Sequence, residues 1–92
     1  MDFEWDETKA LANLRKHDVS FAEASTLFGD PLELTIADPD HSHGEFRFLS
    51  LGRSHAGRLL VVAYTERDHR IRIISARPAT SREIQCHEAG RF

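Results

Sequence analysis

Three apolar segments joined by short polar links occupy the second half of this chain, and they constrain its fold more than any other feature. They read FRFLSLG from Phe46, RLLVVAYTE from Arg58 and HRIRIISA from His69, with turns at SHAG and near RDH. Links this short join antiparallel neighbours, because a parallel pair needs a crossover of about a dozen residues or more. The segments therefore predict three strands of an antiparallel meander.

The first half of the chain supplies a fourth strand and two short helices. Leu32, Leu34 and Ile36 alternate with polar or small residues, which is the period of a strand with one wet face. Asp6 is a candidate cap for a helix over Glu7 to His17, and Ser20 with Glu23 has capping-box spacing. The second helix is expected to stop at Gly29-Asp30-Pro31, and a terminal helix is expected over Ala79 to Glu88. Together these elements predict an α+β fold: two short N-terminal helices, a four-stranded antiparallel meander sheet and a C-terminal helix, with the helices on one face.

Composition indicates one small domain over residues 1–92, with 40% hydrophobic and 29% charged side chains. The longest apolar run, Leu59 to Tyr64, is too short to span a bilayer, and the opening MDFEWDE lacks the features of a signal peptide. The single cysteine, Cys86, forms no internal disulfide and fits a small apolar role on the last helix. These features predict a cytoplasmic protein without a membrane partner.

Acidic and basic residues are divided unevenly along the chain. Residues 1–45 carry eleven acidic and three basic side chains, a net charge of −8, whereas residues 46–92 carry nine arginines and four acids, a net charge of +5. This split indicates a basic surface that meets a polyanion or an acidic protein. The alternative is that the two halves pair with each other across the fold.

The last two predicted strands concentrate arginines, which are costly to hold near a sheet unless they have a partner. Arg70 and Arg72 project from one face of their strand, and Arg77 lies just beyond its end. On the preceding strand Tyr64 and Glu66 share a face. A three-residue turn would place these two opposite Arg72 and Arg70, whereas a two-residue turn would place Thr65 opposite Arg72.

An arginine set of this kind suits phosphoryl chemistry. RNA is cut without a metal when its own 2′-hydroxyl attacks the adjacent phosphate, which requires a base, cations around the phosphorane and an acid for the leaving oxygen. The planar guanidinium gives paired hydrogen bonds to phosphate oxygens and stays charged. Arg72 and Arg77 are the candidates to bind the phosphate, and Glu66 or His17 the candidates to move protons.

Each candidate also has a structural alternative. Glu66 facing an arginine is also explained as a cross-strand ion pair, and His17 after Lys16 as a cation at the C-terminus of a helix. Tyr64 is also explained as a packing residue. Arg82 is equally explained as a solvated helix residue.

The loop DPDHSHGE raises the question of a metal site. Its possible ligands are Asp38, Asp40, His41, His43 and Glu45. Asp-Pro-Asp and Ser-His-Gly are ordinary turn sequences, so we interpret the loop as a solvated connection whose Glu45 pairs with Arg47. We predict no metal and no cofactor.

Several segments resemble, in order, the BrnT-like toxins of bacterial type II toxin–antitoxin pairs. They are FEWDETKALANLRKHDVSF, FGDP, DPDHSHGEFR, LGRS, GRLLVVAYTE and IRIISARPATSRE, which span Phe3 to about Glu88. Asp18 stands where that pattern usually has glycine after the histidine. Aspartate tolerates a left-handed helix end better than most residues, so the turn is expected to survive.

The resemblance implies a small metal-independent endoribonuclease with a RelE-like sheet that inhibits growth. It also implies neutralisation by a BrnA-like ribbon-helix-helix antitoxin that binds the DNA itself, with two toxins on an antitoxin dimer. With it, the predicted catalytic residues are Glu66, Arg72, Arg77 and His17, and the predicted RNA-binding residues are Lys16, Arg70, Tyr64 and Arg82. The competing hypothesis is a non-catalytic module that binds an antitoxin-like partner and modulates its repression of DNA.

Overall fold

The computed structural model describes residues 1–38 and 44–92. In this part of the chain the order of elements is β1 (Asp2–Glu4), α1 (Glu7–His17), α2 (Phe21–Thr26), β2 (Leu34–Ala37), β3 (Arg47–Arg53), β4 (Leu59–Arg67), β5 (Arg70–Pro78) and α3 (Ser81–Ala89). A short 3-10 turn, Leu27–Gly29, continues α2. No helix in the described ranges is long and apolar enough to cross a membrane.

The strands form one mixed sheet in the order β1-β5-β4-β3-β2. Strands β2 to β5 make the antiparallel meander that the sequence predicts, and the α+β class is confirmed. The prediction of only four strands was wrong, because Asp2–Glu4 adds a fifth strand parallel to β5. A three-residue strand is too short to show a period in the sequence, so its pairing depends on the tertiary fold.

Helix α1 begins and ends where the sequence predicts. The Asp6 side chain accepts a hydrogen bond from the Lys9 amide, and Asp18 takes the left-handed conformation with φ 56°. The helix is anchored by an amide and not by its leucines: Asn13 is buried and exchanges hydrogen bonds with both backbone groups of Ala76, at 2.8 and 3.1 Å. Leu11 and Leu14 stay exposed.

The main core lies between one sheet face and the helical segments α1 and α2. Its buried members come from α2 and the residues around it, from β4 and from β5, namely Val19, Phe21, Ala24, Leu27, Leu60, Val62, Tyr64, Ile71, Ile73 and Ala76. The Ser20 hydroxyl caps α2 by accepting from the Glu23 amide at 3.0 Å. We call the face of the sheet that contributes to this core the core face.

A β-bulge in β5 determines which arginines share the opposite face. Ala63 pairs with Ser75 and Tyr64 with Ile73, so Ile74 is the extra residue. Arg72 and Arg77 are five positions apart and would point to opposite faces in a regular strand. Because of the bulge, Arg72 pairs with Thr65 and Arg77 with Val61, which lie on the same face of β4.

Helix α3 packs on this opposite face, so the prediction that all helices gather on one face was wrong. Glu83 of α3 binds Arg77 through two hydrogen bonds of 2.7 and 2.9 Å. Leu51 and Val61 are buried on the same face but lie outside the main core. The helix therefore covers one half of this face and leaves the half around Thr65 open.

Candidate functional site

The open half of the sheet carries a row of polar side chains across four neighbouring strands. Glu4 of β1 is paired with Arg72 of β5, Arg72 with Thr65 of β4, and Thr65 with Arg47 of β3. Directly paired residues point to the same face and lie about 5 Å apart. The register therefore places one arginine on each side of Thr65, Arg47 on β3 and Arg72 on β5.

A cleft of about 290 Å³ opens over this row. Its polar lining consists of Lys9, Arg47, Arg67, Arg72, Glu45 and Thr65. Lys9 reaches the cleft from the first turns of α1, and Ile74, the bulge residue, supplies an apolar wall. Four cationic side chains against one acidic one make this cleft attractive to a polyanion. We call it the cationic cleft.

Arg72 and Arg67 of this cleft are each bound to a carboxylate. Arg72 Nη1 lies 2.8 Å from Glu4 Oε2, and Arg67 donates two hydrogen bonds of 2.6 Å to Glu45. The Arg67 guanidinium lowers the pKa of Glu45 below its ordinary value, so this carboxylate stays ionised. Exposed ion pairs of this kind contribute little to stability, which leaves the arginines able to exchange a carboxylate for a phosphate.

Thr65 is the unusual residue at the floor of the cleft. Only 3% of it is exposed, and its hydroxyl has no hydrogen-bond partner among the described residues. A buried hydroxyl without a partner costs about 1 to 3 kcal/mol. Among the described residues, the hydroxyl is thus a hydrogen-bonding group left unused at the floor of the cleft.

The structure resolves the register between β4 and β5 in favour of the two-residue turn. Asp68 and His69 both have positive φ, 48° and 66°, and Arg67 pairs directly with Arg70. This is the backbone of a type I′ hairpin turn, which matches the twist of the strands. Of the two alternatives for the turn, the structure therefore has the one that places Thr65 opposite Arg72, and not the one that places Tyr64 and Glu66 opposite Arg72 and Arg70.

Tyr64 lies in the core and not at an RNA-accessible surface. It is 5% exposed, its ring contacts Phe28 and Phe48 at centroid distances of 5.0 and 5.5 Å, and its hydroxyl accepts a bond from Ser50. Burial raises the pKa of the phenol above its ordinary value. Its predicted contact with RNA conflicts with this burial, and the structural alternative accounts for the residue.

Glu66 points to the core-face side at the end of β4, with an exposed side chain. It lines a second pocket with Gly44, Glu45, Phe46 and Phe48. The structure does not bring it together with Arg72. Its role in catalysis stays a prediction.

Arg77 shares the face of Arg72 but lies under α3. Four residue steps of β4 separate their partners, which corresponds to about 13 Å along the strand. Its bond to Glu83 raises the pKa of Arg77 and lowers that of Glu83 to about 2. Arg77 thus fixes α3 to the sheet.

The other predicted residues are spread over the surface. Arg70 is exposed beside the β4–β5 turn, and Arg82 is exposed on α3. Lys16 and His17 lie in the last turn of α1, about 10 Å or more along the helix axis from Lys9. Of the eight predicted site residues, only Arg72 lines the cationic cleft.

Sequence reasoning missed most of the cleft. Lys9, Arg47, Arg67 and Thr65 come from three separate elements, and the two-residue turn that aligns Thr65 with Arg72 was only one of two alternatives. Glu45 was expected to pair with Arg47, whereas the structure shows it bound to Arg67. The alternation of β3 was the available signal, because it places Arg47 on the face of Leu49 and Leu51.

The metal question falls largely on residues that the structure does not describe. Asp40, His41 and His43 lie outside the described ranges. Within residues 1–38 and 44–92, no group of three or more histidine, cysteine, aspartate or glutamate side chains is placed to hold a metal ion.

A small α+β domain with a cationic cleft on an open sheet face has the form of a nucleic-acid-binding protein. Residues 5–83 match the family described as "Ribonuclease toxin, BrnT, of type II toxin-antitoxin system". The match covers most of the chain, so the chain belongs to the BrnT family of toxins, and the resemblance found in the sequence is confirmed.

The fold is similar to the crystal structure of the Brucella abortus ribonuclease toxin BrnT. The TM-score is 0.65, with 21% sequence identity over 88% of this chain and 99% of that chain. At this identity the likeness establishes a shared fold. A comparison with curated proteins found no significant match.

Proposed function

We propose that this chain binds single-stranded RNA in the cationic cleft and cleaves it as a metal-independent endoribonuclease. The observation that carries the proposal is the convergence of Lys9, Arg47, Arg67 and Arg72 around the unpartnered Thr65 hydroxyl, within the described part of the chain. A phosphate in the cleft would find both positive charge and a hydrogen-bond donor. Membership of a family of ribonuclease toxins supports the same substrate.

The proposed reaction is an internal transfer at the phosphate. The 2′-oxygen forms a bond to phosphorus while the bond from phosphorus to the 5′-oxygen breaks, which leaves a 2′,3′-cyclic phosphate and a 5′-hydroxyl. Arg72 stabilises the charge on the phosphorane through its planar guanidinium. Positive charge that is held in place before the reaction is an effective source of such stabilisation.

We assign the proton transfers to one residue beside the cleft and one in its lining. Glu4 lies 2.8 Å from Arg72, so the carboxylate would be close to a 2′-hydroxyl whose phosphate binds that arginine. Glu4 is the proposed base that takes the 2′-proton, and Lys9, which lines the cleft, is the proposed acid for the 5′-oxygen. The predicted roles of Glu66 and His17 compete with this assignment.

The proposal extends to the partner. A type II toxin family implies an antitoxin, and we propose a ribbon-helix-helix antitoxin whose dimer holds two toxins and binds the operator DNA. Covering the cationic cleft with an acidic segment would block RNA without unfolding the toxin.

The reaction is tested with purified, antitoxin-free protein and RNA in excess chelator. We expect cleavage to continue, with products that end in cyclic phosphate and 5′-hydroxyl. Loss of cleavage with chelator, restored by zinc or manganese, would contradict the metal-independent mechanism. Tight RNA binding without any cleavage would favour the non-catalytic module.

The role of Arg72 is tested by Arg72→Lys, which keeps the charge and removes the planar donor pair. We expect cleavage to fall about 100-fold, as expected for a group that acts mainly in the transition state. The melting temperature should barely change, because the pair with Glu4 is partly exposed. Arg91→Lys, at an exposed position, is the matched control; equal activity in both variants would show that Arg72 is not catalytic.

A further inference from the structure

Phe46 is an aromatic side chain left on the surface next to the cationic cleft. It is 77% exposed, and it immediately precedes Arg47 at the start of β3. It lines the pocket of about 310 Å³ that also contains Gly44, Glu45, Phe48 and Glu66. This volume lies at the lower end of the range for small-ligand sites, about 300 to 1,000 Å³.

The pocket has one rigid wall and one polar wall. Phe48 is stacked on the buried ring of Tyr64, with a centroid distance of 5.5 Å and an interplanar angle of 27°. Glu66 is exposed and places a carboxylate on the polar side. An exposed aromatic ring beside a carboxylate offers a flat surface for stacking and an acceptor for hydrogen bonds.

The pocket shares one lining residue with the cationic cleft. Glu45 lines both, and it is bound to Arg67 of the cleft. A nucleotide whose phosphate lies in the cleft would reach Phe46 by turning its base around the end of the sheet. Proteins that recognise single-stranded RNA stack its unpaired bases on aromatic side chains in this manner.

We propose that this pocket is a nucleobase subsite that prefers guanine. This assignment rests on the RNA-binding function proposed above. Phe46 stacks on the base, and Glu66 accepts hydrogen bonds from its Watson–Crick edge. Guanine fits because its N1–H and N2–H donors lie side by side and satisfy both carboxylate oxygens. Glu66 therefore acts in specificity, on the face of the sheet opposite to Arg72.

The subsite is tested by binding and not by cleavage. The probes are a short 2′-O-methyl uridine oligonucleotide with one guanine, the same oligonucleotide with inosine in its place, and inorganic polyphosphate. Inosine lacks the N2 amino group, so the parent protein should bind the guanine probe about tenfold more tightly. Polyphosphate reports the cationic cleft alone.

Two variants separate stacking from edge recognition. Phe46→Leu keeps an apolar side chain but removes the aromatic ring on which a base would stack. It should therefore weaken the binding of both oligonucleotides about tenfold and leave the binding of polyphosphate unchanged. Glu66→Gln should abolish the preference for guanine over inosine. Both positions are exposed, so thermal melts should match the parent and show that the fold is intact.

The outcomes distinguish this subsite from the proposed function. If the parent binds polyphosphate and both oligonucleotides without base dependence, the cleft stands and the nucleobase subsite is rejected. Binding of neither RNA nor polyphosphate would reject both. If Phe46→Leu weakens the antitoxin complex and leaves RNA binding unchanged, Phe46 is a protein-docking residue and the subsite is overturned.

Discussion

At the scale of single residues, Thr65 is where folding and function make opposite demands. The buried hydroxyl has no partner among the described residues, yet a valine of nearly the same shape would fill the position without a polar group. Replacing an unsatisfied hydroxyl by an isosteric methyl removes a desolvation cost. A threonine at this position is explained if the hydroxyl binds the substrate.

Thr65→Val is therefore expected to raise stability and lower activity. The free energy of unfolding should rise by about 1 kcal/mol, because the unsatisfied hydroxyl is lost. Cleavage should fall about tenfold, the effect of one lost hydrogen bond. Urea unfolding and single-turnover cleavage measure the two quantities.

Thr65→Ser, which keeps the hydroxyl, should retain most of the cleavage that Thr65→Val loses. A less stable Thr65→Val protein would mean that the hydroxyl already has a partner in the free toxin. Unchanged cleavage in the valine variant would separate Thr65 from the reaction.

At the scale of elements, one glutamate of α3 has two functions, since it caps the helix and binds the sheet. Glu83 accepts the Thr80 amide at 2.8 Å in a capping box and also binds Arg77. The two arginine bonds lower its pKa to about 2. Protonation of Glu83 should therefore loosen α3 from the covered half of the sheet.

Glu83→Gln should lower the free energy of unfolding by about 1 kcal/mol at pH 7, because glutamine keeps the cap but loses the charge. The folded pKa lies below the ordinary 4.5, so the contribution of Glu83 is complete above pH 4.5 and is lost as the pH falls toward about 2. The stability difference between parent and variant should therefore shrink at pH 3. Urea unfolding at the two pH values measures it.

Glu88→Gln, at an exposed position of the same helix, serves as the control and should behave like the parent at both pH values. A difference between parent and Glu83→Gln that is as large at pH 3 as at pH 7 would show that the charge of Glu83 does not hold α3.

Elements with a local signal were predictable, and those that depend on tertiary pairing were not. The caps at Asp6 and Ser20 mark the starts of two helices, and the predicted α1 matches the structure at both ends. The terminal helix was predicted over Ala79 to Glu88 and is observed over Ser81–Ala89. β1 became a strand only by pairing with β5. The cleft was mostly missed because the turn at Asp68 decides which face of β4 meets Arg72.

At the scale of the whole molecule, some of the acidic side chains of the first half form ion pairs with arginines of the second half. Among the described residues, acids from the first half bind arginines from the second, as in the pairs Glu4–Arg72, Glu23–Arg58 and Glu45–Arg67. Pairing between the halves was the alternative to a polyanion surface, and the structure shows this pairing. The described lining of the cationic cleft has more basic than acidic side chains, which supports the proposed binding of a polyanion there.

This arrangement predicts that antitoxin and RNA exclude each other. An acidic antitoxin segment should take the place of Glu4 and Glu45 on the arginines, so titration of antitoxin should release an uncleavable RNA from the toxin. The release should weaken as salt rises, because the contacts are charged. Simultaneous binding of RNA and antitoxin, or specific operator binding by the toxin alone, would contradict this prediction.

The bulge at Ile74 means that β5 carries one residue more than its pairing with β4 requires. Loss of the single codon for Ile74 would remove the bulge and leave Arg72 and Arg77 four positions apart, which in a regular strand still places both on the same face. The cleft would lose its apolar wall, but Arg77 should keep its position opposite Val61 and its bond to Glu83. A survey of related genes that treats every in-frame deletion in β5 as inactivating would therefore discard copies whose arginines are still arranged as they are here.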